Sequence, residues 1–154
     1  MEGGACELEA KELLSRQKRI ALDSNIFIYA LDKNPKYLAL ANEVFAWVER
    51  TGHSAVTSTV TMTEILVKPY RTLEAKSVRR MYAVLLTYPN VEWVVSDLEV
   101  AHTAARLRAM HRLETPDALQ AATAIRSGAT LLVTNDASFE RIPAFETLLL
   151  DNLL

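Results

Sequence analysis

The sequence predicts an α/β protein, with a mostly parallel sheet of about five strands between two layers of helices. Three observations carry this. Short, nearly continuous apolar runs recur along the chain, as expected of strands buried on both faces. They alternate with segments in which apolar residues repeat at helical spacing. Helix-length segments separate the runs, too long for hairpin loops, so consecutive strands should be parallel.

The elements follow in order. Residues 1–17 contain helix formers but few apolar positions and are expected to form a short polar helix or tail ahead of the domain, 18–154. The run RIALD (19–23) is the first strand and ends in Asp23. SNIFIYAL follows, and after the NP break at 34–35 a helix is expected with Tyr37, Leu38, Ala41, Val44, Phe45 and Val48 on one face. Gly52 ends it. SAVTS (54–58) is the second strand, and VTMTEILVKPY is a helical pattern carrying Glu64, with Pro69 as its expected end. Val78, Met81, Tyr82 and Leu85 mark another amphipathic helix, closed by Pro89. VEWVV (91–95) reads as a third buried strand, and SDLE (96–99) as a capping box opening the next helix. Thr115, which can cap, and Pro116, suited to a first turn, start a helix that runs to Gly128. TLLVT (130–134) is the fourth strand, and FETLLL holds a fifth.

Composition narrows the class. The 154 residues suit one domain with a real core. The net charge of −2 argues against holding long nucleic acids by bulk positive charge, but bound divalent cations can offset a carboxylate cluster. Cys6 is the single cysteine, so an internal disulfide is excluded. No apolar run is long enough to span a bilayer, and the start is acidic without a signal-like apolar core. The expectation is a soluble cytoplasmic protein with no membrane partner.

In parallel sheets, sites form beyond the carboxyl ends of the strands. Asp23 and Asp136 stand at two such ends, Asp117 at a helix N-terminus, and Glu64 on the helix after the second strand. Four carboxylates at one sheet edge repel one another, and a hard divalent cation with a preference for oxygen, Mg²⁺ or Mn²⁺, resolves the repulsion. Each acid also has a structural rival. Asp117 suits a helix dipole, Asp136 a loop cap, Asp23 a helix cap, and Glu64 a solvated helix face. Asp32 and Asp97 fit a chain break and a capped first turn and are not assigned to the site. His53, His102 and His111 lack paired metal-ligand spacing, which argues against zinc. Trp47 and Trp93 fit core positions better than base stacking. Lys68 and Arg71, following Glu64 by one and two helical turns, are candidate RNA contacts at a cleft edge, though a solvated basic pair is the plainer reading; Arg126 and Arg141 are weaker candidates.

IALDSNIFIYAL, TMTEILVKPYR, LETPDALQAATAI and LLVTNDASFERI, in this order, closely resemble the four acidic motifs of the PIN-domain ribonuclease family. Many bacterial and archaeal members are VapC-like toxins of toxin–antitoxin pairs. The resemblance runs from about Arg19 to the end. The third and fourth motifs are the most specific. By position, it implies that the metal-binding acids are Asp23, Glu64, Asp117 and Asp136, with Thr134 and Asn135 as polar support. It also implies Mg²⁺- or Mn²⁺-dependent hydrolysis of RNA phosphodiester bonds, an antitoxin partner and a homodimer. The stretch before Arg19 departs from toxin-like members, which usually begin almost at the first strand. Two other functions are weighed: a metal-dependent phosphatase or other hydrolase, and a catalytically silent binding module. The first meets Asn25 where a phosphoaspartate hydrolase would carry a second Asp; the second meets four intact acids.

Overall fold

In the computed structural model, residues 2–154 are described; Met1, at the head of the expected extension, lies outside them. The chain forms α1 (Glu2–Ser15), β1 (Arg19–Leu22), α2 (Ser24–Leu31), α3 (Leu38–Val48), β2 (Ser54–Ser58), α4 (Thr59–Thr72), α5 (Ala75–Leu86), β3 (Val91–Val94), α6 (Leu98–His111), α7 (Thr115–Arg126), β4 (Leu131–Thr134) and β5 (Glu146–Leu149). Short 3-10 turns cover Ala137–Arg141 and Leu150–Leu153.

The strands pair in the order β3-β2-β1-β4-β5, every pairing parallel. Alternation along β1 assigns the two faces. Ile20 and Leu22 pack with Leu14, Ile26, Val44, Ile65 and Leu85, from α1 to α5. Ala21 packs with Leu107 of α6 and Ala118, Ala121 and Ala122 of α7. The alanines of α7 explain how that helix lies close on the sheet, and all three are fully buried. The chain leaves β1 toward β2 and β3 through one helical layer, then returns through the other layer to β4 on the far side of β1. A crevice therefore opens between the carboxyl ends of β1 and β4, the switch point of this topology.

The structure corrects several local expectations. Pro69 does not end α4, which runs on to Thr72; its ring is buried, and Leu73 N donates to Pro69 O at 2.8 Å, so the helical ladder resumes beyond it. The β3 run is an edge strand, half-buried rather than fully buried. Ser96 is not the cap of α6: Asp97 is, its carboxylate accepting from Val100 N at 2.9 Å. Likewise Glu114, not Thr115, is the N-cap residue of α7, and it makes no side-chain cap bond. Tyr82, expected on the packed face of α5, is exposed. Gly128 does stop α7, at a φ of 72° that favours glycine. Residues 2–15 are a helix that contributes Ala10 and Leu14 to the core.

Candidate active site

Asp23 is the residue at which β1 turns into α2. Its backbone N–H still extends the sheet, donating to Val133 O at 3.1 Å, while its side chain caps α2 by accepting from Ser24 N at 2.8 Å. The second carboxylate oxygen accepts from the Thr134 hydroxyl at 2.6 Å. The residue is only 8% exposed. Burial drives its pKa up to about 6, against the two hydrogen bonds and with help from the charges of Glu64 and Asp136.

Thr134 does two jobs at the end of β4. Its hydroxyl donates to Asp23 and accepts from the backbone N–H of Asp136 at 3.0 Å, so one buried side chain ties two acids together. Asp136 caps the following 3-10 turn through Ser138 N at 2.9 Å. Asn135 is turned to other partners: it donates to the Tyr29 hydroxyl at 3.1 Å and accepts from Asp151 N at 2.9 Å. It fixes the loop and touches no acid of the site through those bonds.

Asp117 stands in the first turn of α7. Its pKa is also raised to about 6, by burial first and then by the charges of Asp136, Asp23, Glu64 and Glu114. No hydrogen bond offsets that rise, so the capping role leaves its environment unexplained. Glu64 lies on the exposed side of α4, where its Oε2 accepts from the Ser24 hydroxyl at 2.6 Å. The four acids from four separate elements therefore influence one another electrostatically at one sheet edge. Among the described residues none of them is ion-paired with a lysine, arginine or histidine. They ring the strand ends as separate side chains, and among the described residues no three such groups lie close enough together to cage an ion.

The donor set is all oxygen, which suits Mg²⁺ or Mn²⁺ rather than zinc. Two of these carboxylates resist ionisation, chiefly because they are buried and further because other acids lie nearby, and a divalent cation would offset both effects.

Other expected residues lie elsewhere. Lys68 pairs with Asp32 at 3.1 Å, both exposed, and Arg126 with Glu99 at 3.7 Å. Arg71 lines an open groove on α4 with Met62, Leu66 and Tyr70. Trp47 is buried and stacks on His53 at 4.1 Å between ring centres, and Trp93 packs on Phe27.

The sequence reading missed Ser24, Gln120 and Arg112. Ser24 holds Glu64. Gln120 is buried, accepts from Ser58 N at 3.0 Å and donates to Leu22 O, joining α7 to the ends of β1 and β2. Both had a signal: Ser24 follows Asp23 directly, and Gln120 lies one helical turn beyond Asp117, on its side of α7. Arg112, with Arg141, lines a cleft of about 300 Å³ that also includes Glu114, Asp117, Asp136 and Ser138.

Comparison with known proteins agrees with this fold. Residues 20–144 match the PIN domain family model. No curated protein matches the chain. Several solved structures share the fold. One is VapBC2 from Rickettsia felis bound to a DNA fragment from its promoter (21% identity, 84% of this chain and 97% of that one, TM-score 0.64). Another is a toxin–antitoxin complex from Klebsiella pneumoniae (21% identity, 85% and 97%, TM-score 0.65). A third is VapBC-1 from nontypeable Haemophilus influenzae (19% identity, 86% and 98%, TM-score 0.66).

Proposed function

The chain belongs to the PIN domain family, whose members are generally nucleases, and on that premise we propose that it is a metal-dependent endoribonuclease acting as the toxin of a toxin–antitoxin pair. The observation that carries the chemistry is the set of unpaired acids at the β1–β4 crevice, two of which have pKa values raised to about 6.

In this reading Asp23, Asp117 and Asp136, which stand apart as separate side chains, would draw in around Mg²⁺ or Mn²⁺ and hold it. Such an ion would supply Lewis acidity toward the scissile phosphate and lower the pKa of water beside it. The protein's own contribution is positional. Thr134 fixes the Asp23 carboxylate and the backbone of Asp136 relative to each other, so two acids enter the reaction already oriented. Ser24 holds Oε2 of Glu64, which leaves Oε1 to take the proton of the attacking water. Asp23 is shielded from bulk solvent, which strengthens its attraction to a cation.

The fold shared with toxin–antitoxin complexes supports an antitoxin protein as partner. Exposed apolar residues on α4 and α5, including Val67, Tyr70 and Val84, support self-association as a dimer. Among the described residues no helix is long and apolar enough to cross a membrane.

The test is cleavage of a mixed RNA pool by purified protein in Mn²⁺ and in EDTA, beside calorimetric Mn²⁺ titration. Wild type is expected to cut only with the ion. Asp117→Asn and Asp23→Asn are each expected to reduce the rate by about a hundredfold or more and to remove most of the Mn²⁺ affinity, with the wild-type circular dichroism retained. Full activity in both variants would overturn the assignment. Release of phosphate from a phosphomonoester by wild type, without RNA cleavage, would favour the phosphatase alternative.

A further inference from the structure

The cleft that opens on Asp117 and Asp136 has a mainly polar wall that carries two arginines. Arg112 ends α6 with a φ of 55°, in the left-handed region, so α6 stops there and the side chain leaves the helix axis at the cleft. Arg141 lines the same cleft, at the end of the 3-10 turn that Asp136 caps. Its Nη1 donates to His111 O at 3.1 Å, next to Arg112 in the chain, which leaves the other guanidinium nitrogens free of that bond. Among the described residues neither arginine forms an ion pair with an acid, although Glu114 lines the same cleft.

Ser138 is also part of the cleft wall, but its Oγ is buried beneath the surface, so the arginines are the donors a ligand in the cleft can reach. Two guanidinium groups thus stand in one cleft with carboxylates of the site. That donor set matches a phosphodiester oxygen and not a neutral or cationic ligand.

We propose that Arg112 and Arg141 form a subsite for the RNA phosphate next to the one being cut. The subsite extends the nuclease reading given above and rests on it. It sets the register of the strand across Asp117 and Asp136. The phosphate-binding arginines therefore come from the end of α6 and the turn after β4, whereas Lys68 of α4 is paired with Asp32.

The probe is a fluorescently labelled single-stranded RNA, bound to the inactive Asp117→Asn protein and read by anisotropy across a salt series. Removing one phosphate-binding cation lowers the slope of log affinity against log salt by about 0.7 for a single strand. Arg112→Gly and Arg141→Gln are each expected to lower the slope by about that much, and the double variant by about twice as much. Glycine is chosen at 112 because it suits the positive φ, so weaker binding there cannot be put down to a failure to fold. In the active protein the same variants are expected to raise KM roughly tenfold with kcat nearly unchanged. Arg50→Gln, at the opposite edge of the sheet, is expected to leave the slope as it is. If the parent binds RNA and the arginine variants match it in slope and KM, the subsite is wrong while the nuclease reading stands. If wild type neither binds nor cuts RNA, both fall together.

Discussion

At the scale of single residues, the governing fact is that Asp23 and Asp117 sit in surroundings that resist their charge. Both have pKa values raised from 3.8 to about 6, so between roughly pH 4 and 6 the folded protein binds more protons than the unfolded chain. The sign follows: without a cation, these two groups make the fold less stable as pH rises through that window. Asp117→Asn removes one of them. It is expected to stabilise the protein in EDTA at pH 7.5 by about 1 kcal/mol, a figure reduced for the partly exposed setting of the residue, and to have little effect at pH 4. With Mn²⁺ present the order is expected to reverse, because the ion binds the ionised carboxylates of the wild type. Thermal melts of both proteins at the two pH values, with EDTA and with Mn²⁺, check this; equal melting points throughout would remove the electrostatic argument. The acids themselves were legible in the sequence because each lies beside a recognisable strand end or helix start. Their supports were not. That Asn135 bonds to Tyr29 and Asp151 while Thr134 bonds to Asp23 depends on side-chain direction, which adjacent letters do not reveal.

At the scale of elements, the site depends on how α7 and α4 are fastened to the strands. Gln120 makes that fastening: it accepts from Ser58 N at the start of α4 and donates to Leu22 O, next to Asp23. Thr57 adds a bond to the same Leu22 carbonyl at 2.8 Å and one to Thr61 at 2.8 Å. Replacing Gln120 with leucine keeps the bulk but strands the Ser58 N–H in the interior. The expected cost is about 2 kcal/mol in urea unfolding, with reduced activity at temperatures where the variant is fully folded. An unchanged urea midpoint would show that the network carries no net weight. The boundaries that the sequence misjudged lie at elements where a neighbour decides the outcome. Pro69 fails to stop α4 because its ring is buried against the core, and Asp97 displaces Ser96 as the cap because its carboxylate reaches Val100 N.

At the scale of the molecule, the sheet order places β1 and β4 side by side although Thr134 lies 111 positions beyond Asp23 in the chain. The first helix takes part in the same structure. Leu14 is 1% exposed and packs into the core that backs Ile20 and Leu22, so α1 is joined to the strand that carries Asp23. Leu14→Ala is expected to cost about 3 kcal/mol in a single cooperative unfolding transition. A separate early transition, or no destabilisation, would show that α1 is independent of the domain. This packing was hidden in the sequence, where residues 1–17 look polar: a helix with a single row of small and apolar residues is buried only if a partner face exists, and α3 supplies it.

The sequence by itself determined the class of this protein. Apolar runs too continuous for half-exposed strands, separated by helical spacings, leave a parallel sheet between helices as the natural way to bury them, and acids at the ends of such strands converge because parallel strands share one carboxyl edge. Local patterns carry that much because hydrophobic periodicity is a property of each segment alone. Only the tertiary structure decided which groups hold the acids, that no basic side chain neutralises them among the described residues, and that the arginines sharing a cleft with Asp117 and Asp136 come from the end of α6 and the turn after β4 rather than from α4. Those are distances between residues far apart in the chain. They are fixed by the strand order and by the side on which each crossover packs, neither of which is written in any one segment.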